Sequence, residues 1–557
     1  MHTFLTAFHP RGDETNALSD ECKTWLTNSK TEKLFIFQAD SKDYASFFEE
    51  TEACLGEGCD IVKVVLKPLT TNFETPNEIQ ELAWANLNTI TSYMDANTPK
   101  TVFLGRGSGL HEHLMWIAAK CRNGTNIAHF DEIDGTFDAA SAPVIDENKK
   151  GFITLAALLE DHVEDIIHSR FEDAGWSHAH RLGGRPGGPI ESGVRKALGP
   201  AIEKGLVELL DVDKGKTVAY KLTPNGIESA VLAYFRERQI SDQPQREVLI
   251  SFARLPIIQN TNEERKVKPF SFFNLIAPLQ PVDGLICILQ RHDDSIEGTH
   301  ILTLDRACEE FKNSHFIGDL MHARQSLEHR CSEDSIRTAE HLVVINPRLG
   351  RLNKLEFIAE LLAILNQYET KHGPHRINID ITSPLKEIRT AVSMVGLNSH
   401  SRMVYTVKPI VDGRTPGSTT DSKHAKRHHC INLPGMEAFN AFQKATNVNK
   451  NNQYDVEMLK IILNNTRQLT NDDSDDFDFF GEVATDIEPP TLPELVGMSK
   501  GTIPKEQGNR VINRLRSRGL VAVILLQDKA KTRYELTDIG FFVASQLVHL
   551  ENGVENL

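Results

Sequence analysis

The sequence predicts an α/β chain in which two parallel-sheet domains alternate with two smaller α+β domains. Three observations predict it. Two stretches match at one constant offset, strand-like apolar runs alternate with helical patterns ahead of each match, and the length exceeds a single core. At 557 residues the chain calls for roughly three to five domains. Internal repeats are read first, because they decide the architecture.

The matching stretches are EKGLVELLDVDKGKTVAYKLTPNGIESAVL, from Glu203, and SRGLVAVILLQDKAKTRYELTDIGFFVASQL, from Ser517. Gly205, Leu206, Val207, Tyr220, Leu222, Thr223 and Gly226 fall on Gly519, Leu520, Val521, Tyr534, Leu536, Thr537 and Gly540 at an offset of 314 residues. In each copy an amphipathic helix stops at a glycine, a strand follows, a short Lys-containing turn returns a second strand, and a threonine stands where it can cap another helix. Helix, hairpin, helix is the second half of a winged helix-turn-helix. The pattern resembles the winged-helix regulators of archaea and bacteria.

The C-terminal copy carries the nucleic-acid candidates. Its helix EQGNRVINRLRSRGL sets Val511, Ile512 and Leu515 on one face and Asn509, Arg510, Asn513, Arg514 and Arg516 on the other. Lys500 and Lys505 precede this face, and Lys529, Lys531 and Arg533 lie on the expected wing. Arg and Asn read guanine and adenine edges, whereas Lys suits phosphate. The alternative is a dimerising module with a solvated basic face. In the N-terminal copy Gly199-Pro200 is expected to break or kink the helix, and the preceding RLGGRPGGP reads as flexible. That copy either touches DNA backbone through Arg181, Arg185, Arg195 and Lys196 or serves as a spacer.

Ahead of each copy, strand and helix alternate. The first set of strand runs is FLTAF, KLFIFQA, DIVKVVL and TVFLG; the second is EVLISFA, GLICILQ, HLVVINP and INIDIT. Continuous apolar strands between helices imply parallel sheets covered on both faces, hence two Rossmann-like parallel-sheet domains, each followed by an α+β winged helix-turn-helix domain. The expected boundaries are 1–148, 149–243, 244–432 and 433–557, with an insertion between about Asp293 and Thr338 and an acidic one over 471–482. TVFLGRGSG and INIDITSPLK each end a strand in a polar turn before a helix, where backbone N–H groups can meet a phosphate.

A strand ending in such a turn, a helix, and a strand closing on Tyr-x-Val-x-Pro (Tyr405 to Pro409) resemble the CARF (CRISPR-associated Rossmann fold) domains. Joined to winged helices, they resemble CARF transcriptional regulators, here as a tandem fusion. The resemblance implies a cyclic oligoadenylate as regulatory ligand, held by the turn and by the loop after the first strand. Carried over, the candidates are His9, Arg11, Gly105, Arg106, Gly107 and Ser108 in the first domain. In the second they are Arg254, Asp380, Thr382, Ser383 and Lys386. The turns depart from the family's Gly-Gly-Thr-Lys form: Pro384 removes one N–H, and the first turn has no lysine.

The remaining features bound the function. The net charge of −16 excludes indiscriminate coating of nucleic acid but not a local basic face. The eight cysteines are scattered and read as reduced thiols. Lys423 to Cys430 collects His424, His428 and His429 without the second cluster a zinc site needs, so no metal is expected. No apolar run nears the roughly 18 residues of a membrane span, and no secretory leader is evident, which points to the cytoplasm. No catalytic constellation emerges, so the expectation is a non-enzymatic, ligand-responsive regulator. Its partners would be double-stranded DNA and a small nucleotide, with no cofactor, and the chain would act as a monomeric pseudo-dimer or a homodimer. A nucleotide-binding effector of the ring-nuclease kind and a structural partner in a larger defence complex are the alternatives.

Overall fold

In the computed structural model the described residues are 2–6, 20–28, 31–39, 44–55, 59–66, 76–94, 100–104, 109–121, 125–130, 137–141, 149–167, 176–212, 217–223, 226–237, 246–255, 282–293, 295–333, 336–346, 351–381, 386–398, 402–407, 429–435, 441–442, 445, 453–467, 489–525 and 532–552. The chain is α/β, with two Rossmann-like sheets. The first domain runs β1 (His2–Thr6), α1 (Asp20–Asn28), β2 (Lys33–Ala39), α2 (Ala45–Leu55), β3 (Asp60–Leu66), α3 (Pro76–Ser92), β4 (Lys100–Leu104), α4 (Gly109–Cys121), β5 (Thr125–Phe130) and β6 (Phe137–Ser141). Its strand order is β3-β2-β1-β4-β5-β6, and β3, β2, β1 and β4 are parallel. Phe4, Leu34, Ile36 and Val102 are fully buried, as continuous apolar strands require.

A first helix-and-hairpin module follows: α5 (Lys149–Ile167), β7 (Ser177–His178), α6 (Ala179–Leu182), a 3-10 turn (Glu191–Gly193), α7 (Val194–Glu203), β8 (Val207–Val212), β9 (Thr217–Leu222) and α8 (Ile227–Glu237). The second sheet domain has β10 (Arg246–Arg254), β11 (Gly284–Arg291), β12 (His300–Thr303), α9 (Leu304–Glu310), α10 (Ile317–Glu333), β13 (Thr338–Ile345), α11 (Arg351–His372), β14 (His375–Asp380), α12 (Lys386–Asn398), β15 (Arg402–Val407) and β16 (His429–Leu433). Its order is β12-β13-β11-β10-β14-β15-β16, parallel from β13 to β15 with β12 antiparallel at one edge. The span of the expected insertion holds β12, α9 and α10. Asn346 ties its entry down: the side-chain amide donates to the carbonyls of Asp293 (3.0 Å) and Ile296 (2.7 Å) and accepts from the Asp293 N–H (2.7 Å).

The second module comprises α13 (Gln453–Arg467), α14 (Leu492–Met498), α15 (Lys505–Ser517), β17 (Val521–Leu525), β18 (Thr532–Leu536) and α16 (Asp538–Asn552). The order α13, α14, α15, β17, β18, α16 follows that of α5, α6, α7, β8, β9, α8, and six of the seven repeated residues have matching physical duties. Gly205 and Gly519 stop α7 and α15 at φ of +67° and +69°. The next N–H, of Leu206 or Leu520, closes back on Ala201 or Leu515 at 2.8 and 3.0 Å. The hydroxyls of Thr223 and Thr537 donate to the Gly205 and Gly519 carbonyls at 2.6 Å and accept from the N–H of Gly226 (3.2 Å) and Gly540 (3.1 Å). A Cβ on Gly226 or Gly540 would lie 1.9 Å from the Leu206 or Leu520 carbonyl oxygen. Val207, Val521, Tyr220 and Tyr534 fill the cores beneath.

Two expectations for the first module are corrected. Helix α7 runs through Gly199-Pro200 without a break. Pro200 leaves the Lys196 carbonyl without its helical donor, but Lys196 sits on the exposed side, where water can serve it. RLGGRPGGP is a hydrogen-bonded turn rather than a flexible tether: Gly184 N–H donates to Pro189 and Gly188 N–H to Arg185, each at 2.9 Å.

The chain divides into two compact units, residues 1–126 with 433–557, and residues 127–432. The first unit holds β1 to β4 with the second module, and the second unit holds the first module, β6 and the strands β10 to β15. In the first unit α3 packs on α16. Buried Gln546 donates to the Asn88 side-chain oxygen at 2.5 Å, and Trp84 faces Phe542 at 6.0 Å. In the second unit α11 packs on α5 and α12 on α8, with the Tyr234 hydroxyl donating to Asn366 at 2.8 Å. The second module's entry and the first sheet also meet at His113, whose Nε2 donates to the Pro434 carbonyl at 2.8 Å.

Candidate ligand crevices and nucleic-acid interface

In both sheets the chain builds one side first and then crosses to the other. The crossover separates β1 from β4 in the first sheet and β10 from β14 in the second. Ligands of open α/β sheets lie at the carboxyl ends of the strands at such a switch point. The sequence candidates belong to these strand ends. His9 and Arg11 follow β1, and Gly105, Arg106, Gly107 and Ser108 join β4 to α4; all six lie outside the described residues. Arg254 is the last residue of β10, Asp380 the last of β14, and Lys386 the first of α12. Thr382 and Ser383, between β14 and α12, lie outside the described residues, as do the side chains of Arg254 and Lys386.

Asp380 is 1% exposed, a carboxylate sunk at the crevice end of a strand. Sequence reading missed its company. Leu249 pairs with Asn378, so strand alternation puts Ser251 of β10 on the face that holds Asn378 and Asp380. Ser251 and Asn378 are fully buried. The signal was present, because each is a polar letter inside an apolar strand run. A row of buried polar groups leading to a switch point suits a polar ligand, since the surrounding low dielectric strengthens each hydrogen bond.

Helix α4, which begins beside the first crevice, buries His111 and His113, and burial holds both imidazoles down at about 4. The folded state keeps them neutral while the unfolded chain takes up protons below pH 6.5. Their contribution is full above pH 6.5 and is lost as pH falls toward 4, by about 3 kcal/mol per imidazole at the lower end. His341 on β13 behaves alike. Urea midpoints should therefore fall markedly between pH 7 and pH 4.5; a flat profile would contradict neutral burial.

In the second module α14 and α15 make a tight helix pair. A capping box starts α14: the Thr491 N–H donates to Glu494 at 2.7 Å. Gly508 lets α14 lie close, since a Cβ there would meet Val496 Cγ2 at 2.7 Å. Val511, Ile512 and Leu515 are buried, and Lys505, Asn509, Arg510, Asn513 and Arg516 are exposed along the opposite stripe, with Lys500 in the preceding turn.

Arg514 departs from the expected reading face. It is turned inward: its Nε donates to both Asp455 carboxylate oxygens, at 2.9 and 2.8 Å, and Arg518 joins at 3.0 Å. Asp455 on α13 is 4% exposed at the side chain and fixes the pose of α15. The sequence shows the helical face but not the carboxylate opposite it. Asp455→Ala should cost about 2 kcal/mol, measurable by urea unfolding, because two charged hydrogen-bond donors lose their acceptor. Arg533 is likewise engaged, donating to the Pro489 carbonyl at 2.6 Å. Lys529 and Lys531 lie outside the described residues, as do the acidic stretch 471–482 and His424 and His428.

The first module differs in its arginines. Arg181 is paired with Asp161 at 2.5 Å and Asp165 at 2.8 Å, and Arg185 with Glu160, all on α5. Arg195 and Lys196 remain exposed on α7.

No family model matches the chain, and no curated protein matches it. Among solved structures it is similar to Enterococcus italicus Csm6 bound to cyclic hexa-2'-fluoro-hexa-dAMP, at 11% identity and a TM-score of 0.23, covering 49% of this chain. The chain spans about half (54%) of that neighbour's length. At that score the likeness carries no argument about either site. No helix among the described residues is long and apolar enough to cross a membrane.

Proposed function

We propose that the chain is a tandem CARF-type regulator, divided near residues 148, 243 and 432, that reads double-stranded DNA in the cytoplasm in response to a cyclic oligoadenylate. The observation that carries this reading is the exposed stripe Lys505, Asn509, Arg510, Asn513 and Arg516 on a helix whose opposite face is locked into a helix-turn-helix pair. Lys500 and Lys505 suit phosphates, and Asn509, Arg510 and Asn513 suit base edges. Arg514 belongs to the scaffold through Asp455.

The ligand would lie at the two switch points, where the candidate loops leave neighbouring strand ends. His9, Arg11, Gly105, Arg106, Gly107 and Ser108 would form the first crevice. Arg254, Asp380, Thr382, Ser383 and Lys386 would form the second. A thermal-shift series with cyclic tetra- and hexa-adenylate, against linear oligoadenylate, tests this. A ligand at 100 times its dissociation constant stabilises by about 2.7 kcal/mol, so one cyclic species should raise the melting temperature. No shift with any cyclic species would remove the sensing role.

The first module is proposed as a pairing element, because α5 carboxylates hold Arg181 and Arg185. The double variant Arg195→Ala, Lys196→Ala should then change affinity for duplex DNA by less than about twofold, since a phosphate contact missing from the complex cannot be lost. A loss of tenfold or more at low salt would restore the first module as a DNA contact.

A further inference from the structure

Sequence order suggests that each sheet governs the module that follows it, but the packing of the chain points elsewhere. The unit that holds β1 to β4 also holds the second module, and the unit that holds β10 to β15 also holds the first. The helix that leaves the crevice is part of the contact in both. In the first unit, α4 starts at the first crevice turn, packs along α3, and hands a hydrogen bond from His113 to Pro434 at the entry of the second module. Helix α3 in turn holds α16 through Trp84 against Phe542 and the buried Asn88–Gln546 pair. In the second unit, α12 starts at the second crevice turn and packs directly on α8 of the first module, while α11 holds α5.

We infer that control is crossed: the crevice of the first sheet acts on the second module through α4, α3 and α16, and the crevice of the second sheet acts on the first module through α12 and α8. This rests on the sensor-and-reader assignment above. The physical reason lies in what can carry a displacement. A ligand bound at the strand ends shifts the packed helix that follows as a rigid rod, and close-packed side chains pass that shift to the next helix. The Asn88–Gln546 pair makes the first route sensitive to misfit, because separation breaks a hydrogen bond between two buried amides. The stripe on α15 would therefore answer to the switch point between β1 and β4, which lies far earlier in the sequence, and not to the one at Asp380 that precedes it.

Hydrogen exchange on the full chain tests the crossing without any ligand. Val102→Ala loosens β4 beneath the first crevice, and Ile379→Ala loosens β14 beneath the second; both residues are fully buried. Val102→Ala should speed exchange in α13, α15 and α16 by at least about tenfold and leave α5, α7 and α8 within about twofold. Ile379→Ala should give the reverse pattern. The opposite pairing, equal changes in both modules, or no change in either would overturn crossed control. Read on a random-sequence duplex, Val102→Ala should weaken binding by at least about fivefold and Ile379→Ala should not. If the wild-type chain binds no duplex, the DNA-reading assignment falls, and the exchange pattern still decides the crossing.

Discussion

Replacing Gly540 by alanine is expected to unfold the first unit selectively, at a cost of about 3 kcal/mol or more. The added methyl carbon would lie 1.9 Å from the Leu520 carbonyl oxygen, and that oxygen cannot move aside. It already accepts the Thr537 N–H at 3.1 Å, and Leu520 itself is fixed by its bond to Leu515. Relief requires α16 to lift away from the hairpin, which also disturbs its packing on α3. Gly226→Ala should injure the second unit in the same way, with the same 1.9 Å clash on Leu206. Gly519→Ala is the control. Nothing lies within 4 Å of its Cβ position, so only the φ of +69° is strained, at about 1 kcal/mol. Urea unfolding followed by hydrogen exchange should give Gly540→Ala the larger loss, confined to residues 1–126 and 433–557. Equal losses for Gly519→Ala and Gly540→Ala would contradict the close-approach argument.

The second large effect concerns DNA. Arg510→Ala and Asn513→Ala should each cost about 1–3 kcal/mol on a selected site and relax preference at the base they face. Together they should bring affinity down to the level of random sequence. Lys500→Ala and Lys505→Ala should instead weaken all sequences alike and flatten the salt dependence. Arg514→Ala should behave differently again, lowering stability, because its guanidinium is bound to Asp455. Anisotropy titrations at two salt concentrations, beside urea melts, separate the three classes. A uniform loss for Arg510→Ala with no change in sequence preference would demote that residue to a phosphate contact.

Much of the fold was legible because the sequence repeats what backbone geometry demands. Gly205 and Gly519 are legible as left-handed helix stops, Thr223 and Thr537 as caps, and the apolar runs as buried parallel strands. Other features depend on partners that no local pattern names. Arg514 has the spacing of a reading residue, but its acceptor Asp455 lies on a helix whose register carries no sign of the pairing. Pro200 reads as a helix breaker, yet the carbonyl it orphans is at an exposed position, where the penalty is small. The crossed units were hidden for a similar reason. Asn88 and Gln546 are 458 residues apart, and the apolar faces of α8 and α16 match too closely for composition to say which sheet each one meets. At the crevices, the strand order supplied what the motif could not: it sets β1 beside β4 and β10 beside β14.

The most direct test of the whole account is duplex-DNA affinity of the intact chain with and without cyclic tetra- or hexa-adenylate. The account predicts salt-dependent binding that one cyclic species changes by at least about fivefold, the lower range of ordinary coupling between sites. Binding that no cyclic species alters would contradict a ligand-responsive reader, and no binding at low salt would contradict a reader of any kind.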